Sequence, residues 1–257
     1  MKFHEFGNKE NPKIMLIHGG GNSWWNFLRQ AKILSGKYYV ILPVLDGHGE
    51  DYDNEYVSSE KSAEKLINYI DENCGGDIFL LYGVSLGGQI VIEMLSQRKK
   101  LAKKAIIDGS ICYPQPILEK ICETIVLLFK WFMFSKYSCI FQMKVLKLFP
   151  KIKFTKELEE YYIEDMPKIR TKTLLNMYRT YMNGYTLKDE ISFTLSEIYY
   201  WYGSKEMKCV KKSAEIVKSK VKKCTIHEFK NYNHGYLAIY KTNEWVSEVE
   251  KVIENKK

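Results

Sequence analysis

FLLYGVSLGG, residues 79–88, is an apolar run that stops at a serine flanked by glycines two positions to either side, Gly83-Val84-Ser85-Leu86-Gly87. IFLLYG (78–83) reads as a buried strand and GGQIVIEMLSQRKK, beginning at Gly87, as a helix. A strand that turns sharply into a helix forces its turn residue into a strained conformation, which small neighbours make tolerable. That strain holds the Ser85 hydroxyl proud of the sheet, at a helix N-terminus, where backbone N–H groups stabilise developing negative charge. The glycine spacing alone is a weak signal. Its position between a strand and a helix is what gives it chemical meaning.

Upstream, IMLIH (14–18) is a short apolar run ending in Gly19-Gly20-Gly21, followed by the helix-like SWWNFLRQAKILSG. YYVILPVL (38–45) is a second buried strand, Asp46-Gly47-His48-Gly49 a turn, and Ser59 to Asn73 a helix closed by Gly75-Gly76. KAIIDGS (104–110) supplies a further strand. Residues 112 to about 195 then contain helix-like segments and no convincing buried strand. The alternation resumes with IYYWYG (198–203), a helix around 207–219, the strand KCTIHEF (223–229), the loop NYNHG and a helix from Thr242. Continuous Ile, Leu and Val runs alternating with helices predict an α/β fold, a mostly parallel central sheet covered on both faces. The expected core is 1–111 with 196–257, and 112–195 is an insertion over the strand ends.

Length and composition agree with one large domain: 257 residues, 46% of them hydrophobic, are enough to bury a full core. The six cysteines are widely spaced, with no Cys-x-x-Cys pair, so they read as free thiols rather than a metal or redox centre. The net charge of +8 comes from dispersed lysines. A clustered basic surface interleaved with arginine and aromatics is missing from the sequence, which argues against a nucleic-acid partner. MKFHEFGNKE has no apolar stretch after its lysine and no small-residue cleavage site, so a cytoplasmic chain is expected.

An alcohol is a poor nucleophile without a base, so a histidine oriented by a carboxylate must reach Ser85. His234, in Asn233-His234-Gly235 after the last strand, lies on a loop at the same sheet edge and is the expected base. His227 falls inside a strand and His4 near the N-terminus; both read as structural. His18 and His48 sit in glycine-rich loops and are expected to tie those loops down. Two acids satisfy the order serine, acid, histidine. Glu206 follows IYYWYG and is favoured over Asp108, which ends KAIID; the bland alternative for Glu206 is a surface ion pair. Donors to an oxyanion are expected from the Leu86 N–H and from Gly20, with Gly21 as second choice.

These motifs together, LIHGGG (16–21), LDGHGE (45–50), GVSLGG (83–88), YGSKE (202–206) and NHG (233–235), resemble those of the α/β-hydrolase fold superfamily. The resemblance implies Ser85 as nucleophile, His234 as base, and Glu206 as acid where an aspartate is commoner. It also implies a helical cap formed by 112–195, and no metal or organic cofactor. It leaves the substrate open, because the superfamily includes esterases, lipases, thioesterases, peptidases and carbon–carbon bond hydrolases.

The cap carries ILEKICETIVLLFKWFMF (117–134), with an apolar stripe at Ile121, Ile125, Leu128 and Phe132. Its charged residues shorten any span below transmembrane length. Packing on the core and lining an acyl pocket is the expectation, with Ile121, Ile125, Leu128, Trp24 and Trp25 as pocket residues and the tyrosines and methionines of FTKELEEYYIEDM (154–166) and RTKTLLNMYRTYMNG (170–184) as further lining. Peripheral bilayer contact helped by lysines is the lesser alternative. The expected activity is hydrolysis of a small-molecule ester by a small carboxylesterase or monoacylglycerol-lipase-like enzyme. A thioesterase, an aminopeptidase-like enzyme, a carbon–carbon bond hydrolase and a non-catalytic ligand receptor are the alternatives.

Overall fold

Strands rich in Ile, Leu and Val on both faces must be covered on both faces, and this requirement organises the chain. The computed structural model describes residues 1–148 and 155–254. The remaining residues, 149–154 within the expected insertion and 255–257 at the end of the expected core, lie outside that description. In chain order the elements begin with β1 (Lys2–Phe6), β2 (Lys13–Ile17), α1 (Leu28–Leu34), β3 (Tyr39–Val44), α2 (Ser59–Cys74) and β4 (Ile78–Val84). They continue with α3 (Leu86–Gln97), β5 (Ala102–Asp108), α4 (Pro116–Phe134), α5 (Lys136–Lys147), α6 (Lys156–Asp165) and α7 (Thr171–Tyr178). β6 (Glu197–Gly203), α8 (Lys208–Lys220), β7 (Cys224–Phe229), α9 (Tyr236–Tyr240) and α10 (Thr242–Glu254) complete the order.

The seven strands form one sheet in the order β1-β3-β2-β4-β5-β6-β7. All neighbours are parallel except β1, which runs antiparallel to β3 at the edge, Lys2 opposite Val44. This edge strand is not among the strands read from the sequence. KFHEF is short and only half-buried, so it lacks the continuous apolar run that marks the inner strands. The central strands are fully buried from Ile14 to Ile17 and from Leu80 to Val84, as a doubly covered parallel sheet requires.

On one face α1 packs with α10, and Phe27, Tyr82 of β4 and Trp245 of α10 meet edge to face or tilted at 4.9–5.7 Å. On the other, α2 packs against α3, all but one of whose twelve residues are buried. α2 starts where Ser58 accepts from the Lys61 N–H at 3.3 Å and stops where Gly75 turns left-handed at φ 79. Between β5 and β6 the described residues contain helices and no strand. All six cysteines are free thiols. No helix among the described residues is long and apolar enough to cross a membrane.

Candidate active site

Ser85 has φ 55 and ψ −115 and is one of two non-glycine residues with positive φ among those described. The elbow exists because its neighbours have no side chains. A Cβ at Gly83 would meet the Gly87 carbonyl oxygen at 2.2 Å, and one at Gly87 would meet the Ile17 oxygen at 2.4 Å. Ser85 N–H donates to the Asp108 carbonyl at 2.7 Å, which pins the elbow to the end of β5. Leu86 opens α3, so its N–H has no acceptor within the helix. Among the described residues Gly20 and Gly21, in the loop after β2, likewise donate to no backbone acceptor. None of the three amides is spent on a backbone bond there.

Past β7, Gly235 turns left-handed at φ 63 and carries His234 back over the sheet edge. His234 Nδ1–H donates to Glu206 Oε1 at 2.8 Å. Glu206 is held in a tight turn, its N–H donating to the Gly203 carbonyl at 3.0 Å, and its side chain is buried while 46% of the His234 side chain stays accessible. Partial burial lowers the imidazole pKa, but the Glu206 hydrogen bond and charge, assisted by Asp108, outweigh it and raise the value above ordinary. Spatially, Gly109 links the groups: a Cβ there would lie 2.9 Å from Glu206 Oε1 and 3.2 Å from the His234 ring. Ser85 and His234 share this neighbourhood, yet no hydrogen bond joins them among the described residues. Such bonds commonly tighten only when substrate is bound.

Among the described residues Asp108, the other candidate acid, makes no hydrogen bond to His234. Its carboxylate accepts from the Tyr82 hydroxyl at 2.5 Å, and burial pushes its pKa up to about 6, against the opposing Tyr82 bond and His234. His18 and His48 are buried loop ties. His18 Nδ1–H donates to the Gly19 carbonyl at 2.8 Å and Nε2 accepts from the Leu45 N–H at 3.1 Å, joining two glycine loops. Burial, with His48 nearby, pushes His18 down to about 3, so it stays neutral. His4 stacks on Trp24 and His227 lies tilted against Phe229, both outside the site.

The expected pocket residues require correction. Ile121, Ile125 and Leu128 are exposed on the outer side of α4, where only Val126 is buried. The hydrophobic period of a helix fixes which residues share a stripe but leaves open which way the stripe faces. Trp24 and Trp25 are buried, but in packing: Trp24 lies 3.7 Å from His4 and edge-on to Tyr161, and Trp25 Nε1–H donates to Asp165 Oδ2 at 2.8 Å. A surface cleft lined by Arg29, Lys32 and Tyr240 includes none of the expected site residues.

Two residues of RTKTLLNMYRTYMNG, among the tyrosines and methionines expected to line the pocket, reach this edge. Tyr181 lies in a π-helical turn, Arg179–Gly184, and its hydroxyl is within interaction reach of the Ser85 and Ser110 hydroxyls. Burial raises the phenol far above its ordinary range despite Ser85, so it stays un-ionised. Gln89 of α3 anchors this turn, its Nε2 donating to the Tyr181 and Ile111 carbonyls at 3.0 Å each. Met177 of α7 packs its thioether against Gly20, where a Cβ would sit 2.3 Å from the sulfur. A π turn leaves no simple period in sequence, although such turns are frequent at functional sites.

The model of the alpha/beta hydrolase family matches residues 14–161 of this chain. That span includes β2 to β5 and the Ser85 elbow. The chain belongs to the alpha/beta hydrolase family. Solved structures repeat the fold across nearly the whole chain at low identity. An alpha/beta hydrolase family protein from Desulfitobacterium hafniense is 20% identical, with a TM-score of 0.75, over 98% of this chain and 100% of its own. A structure from Nitrososphaera gargenis, from work on carboxylesterases, is 12% identical, with a TM-score of 0.74, over 100% of this chain and 96% of its own. A thermophilic esterase from Thermogutta terrifontis is 13% identical, with a TM-score of 0.73, over 99% of this chain and 93% of its own.

Proposed function

We propose that this alpha/beta hydrolase cleaves carboxylic esters through an acyl-enzyme on Ser85. The observation that carries the reading is the pairing, at one sheet edge, of a serine at φ 55 with an imidazole whose Nδ1–H is held by a buried carboxylate 2.8 Å away. With Nδ1 occupied, Nε2 is the nitrogen left to take the Ser85 proton as the hydroxyl attacks the ester carbonyl. Negative charge forming on the carbonyl oxygen is met by the Leu86 and Gly20 amides, with Gly21 as an alternative donor. Collapse of the tetrahedral intermediate expels the alcohol, protonated by His234, and water activated by the same ring releases the acid. Glu206 orients the ring and stabilises its cationic form.

In this reading residues 112–195 are the cap over the site. Support comes from Met177 and Tyr181, both in that segment, which come against Gly20 and Ser85 respectively. Their thioether and aromatic surfaces favour an uncharged, moderately apolar acyl group, as in a small carboxylesterase or a monoacylglycerol lipase. Structural similarity to the Nitrososphaera gargenis protein and to the Thermogutta terrifontis esterase fits this class.

The test is a panel of p-nitrophenyl esters, acyl thioesters and aminoacyl amides turned over by the wild type and by Ser85→Ala. Ester hydrolysis that Ser85→Ala abolishes, with covalent labelling by a fluorophosphonate, is the expected result. Wild-type turnover retained in Ser85→Ala would reject the mechanism.

A further inference from the structure

α4 is built the wrong way round for a helix that lives in water. Its apolar stripe, Ile117, Ile121, Ile125, Leu128 and Phe132, recurs at intervals of four, four, three and four and faces solvent, with Leu128 69% and Phe132 70% exposed. Leu127, Phe129 and Trp131 widen it, and Tyr137 and Phe141 of α5 are exposed on the same hairpin. The opposite side of α4 packs on α7 and the 179–184 turn. Monomeric proteins seldom leave so much contiguous apolar surface in water unless something covers it.

The charges around this surface identify what covers it. Residues 124–156 contain seven lysines and no aspartate, glutamate or arginine. Lys136 and Lys144 are exposed and form no ion pair among the described residues. An apolar ridge with tryptophan and tyrosine, bordered by exposed Lys136 and Lys144, whose only acids, Glu119 and Glu123, lie in its first half and are held by Asn183 and Arg179, complements a surface that is anionic outside and hydrocarbon beneath. A second copy of this chain fits poorly: a two-fold contact through this face would set two surfaces that both carry exposed, unpaired Lys136 and Lys144 against each other. The surface is a ridge, and no helix among the described residues is long and apolar enough to cross a bilayer. Shallow insertion parallel to the membrane is the geometry that satisfies both facts.

We infer that the exposed face of the α4–α5 hairpin docks the protein on anionic lipid bilayers, with the aromatic and aliphatic side chains of α4 entering the interface and Lys136 and Lys144 meeting the headgroups. Docking does not depend on the chemistry at Ser85 and is read without turnover.

Trp131 is a built-in reporter. It is 82% exposed, whereas the other four tryptophans, Trp24, Trp25, Trp201 and Trp245, are buried. The full chain is mixed with large unilamellar vesicles of phosphatidylcholine alone, or of equal parts phosphatidylcholine and phosphatidylglycerol, and followed by co-sedimentation and tryptophan emission. Binding to the anionic vesicles, a blue shift of the emission, and its quenching by brominated acyl chains are expected. Binding to the neutral vesicles should be weaker, and added salt should reduce the anionic preference. Leu127→Ser/Phe132→Ser should lower vesicle affinity at least about tenfold, and Lys136→Glu/Lys144→Glu should remove the preference for anionic lipid. Both variants should keep the wild-type melting temperature within a few degrees and the wild-type turnover of a soluble short-chain ester. Absence of binding to anionic vesicles, or binding that both variants leave intact, would overturn the inference. So would a dimer in sedimentation velocity that Leu127→Ser/Phe132→Ser dissolves, since the occupant would then be a second copy.

Discussion

The bond from His234 Nδ1–H to Glu206 Oε1, 2.8 Å long, decides both the orientation of the imidazole and the pH at which it can act as a base. The ring works only when neutral, and Glu206 with Asp108 raises its pKa against the effect of burial. The acid limb of kcat/KM should therefore fall above the ordinary imidazole value of about 6.5. Glu206→Gln removes the charge and leaves the burial, so the limb should move down, while turnover at its optimum falls on the order of 10²–10⁴-fold. A pH–rate profile of both proteins on one soluble ester measures this. A limb unchanged by the substitution would deny Glu206 its role.

Tyr181 offers a different lever on the same serine. Its neutral phenol is beside the Ser85 hydroxyl, and Gln89 fixes the turn that carries it. A donor in that position can assist charge as it develops on the attacked carbonyl, which is worth about 10–10³-fold in turnover when such a donor is deleted. Tyr181→Phe keeps the ring and its packing. It is expected to lower kcat by at least about tenfold while KM and melting temperature change little. A loss confined to KM would reassign Tyr181 to binding of the acyl chain.

The residues whose positions were legible in advance are those whose chemistry forces a backbone pattern. The Ser85 elbow could be read because two carbonyl approaches exclude any Cβ at Gly83 and Gly87, and glycine spacing records that requirement locally. The buried strands were legible for the same kind of reason, since covering both faces leaves only apolar residues, and their ends fall within two residues of the expected ones. Long-range placement leaves no such mark. Nothing within KFHEF announces that it pairs antiparallel with β3, because the partner is some forty residues away and half the strand is exposed. The stripe on α4 was recognised, yet its direction depends on which other helices α4 packs against. Tyr181 could be read only as one of several pocket-lining aromatics, because a π turn and a side-chain hydrogen bond from Gln89, ninety-two positions earlier, put it at Ser85.

The elbow's steric requirement can be tested without any assay of turnover. A Cβ at position 87 would come within 2.4 Å of the Ile17 carbonyl oxygen and 2.7 Å of the His18 oxygen, both backbone atoms of a central strand and its loop. Neither can move without breaking the β2–β4 ladder. Gly87→Ala is therefore expected to destabilise the fold by about 3 kcal/mol or more, beyond what most single substitutions cost. Gly21 has open space around it but a φ of +72, so Gly21→Ala should cost only about 1 kcal/mol of backbone strain. Thermal melts of the two variants would rank them. Equal melting temperatures would show that the β2 loop is softer than this packing implies.

Asp108 separates stability from catalysis. Its carboxyl has a pKa of about 6 in the fold against an ordinary 3.8, because burial penalises the charge more than the Tyr82 bond and His234 favour it. A raised carboxyl pKa means that the folded protein holds the proton more tightly than the unfolded chain. Its contribution to stability is thus greatest below about pH 4 and is lost as the pH rises through about 6, by on the order of 3 kcal/mol. Asp108→Asn removes this ionisation while its amide oxygen can still accept from the Tyr82 hydroxyl. The variant should melt several degrees above the wild type at pH 8, with the gain shrinking toward zero at pH 4. Turnover should survive, because the His234 ring is held by Glu206, and the acid limb should shift down less than in Glu206→Gln. Melting curves across that pH range, paired with ester turnover, decide the matter. A variant that is less stable at pH 8, or as inactive as Glu206→Gln, would make Asp108 the carboxylate on which His234 depends.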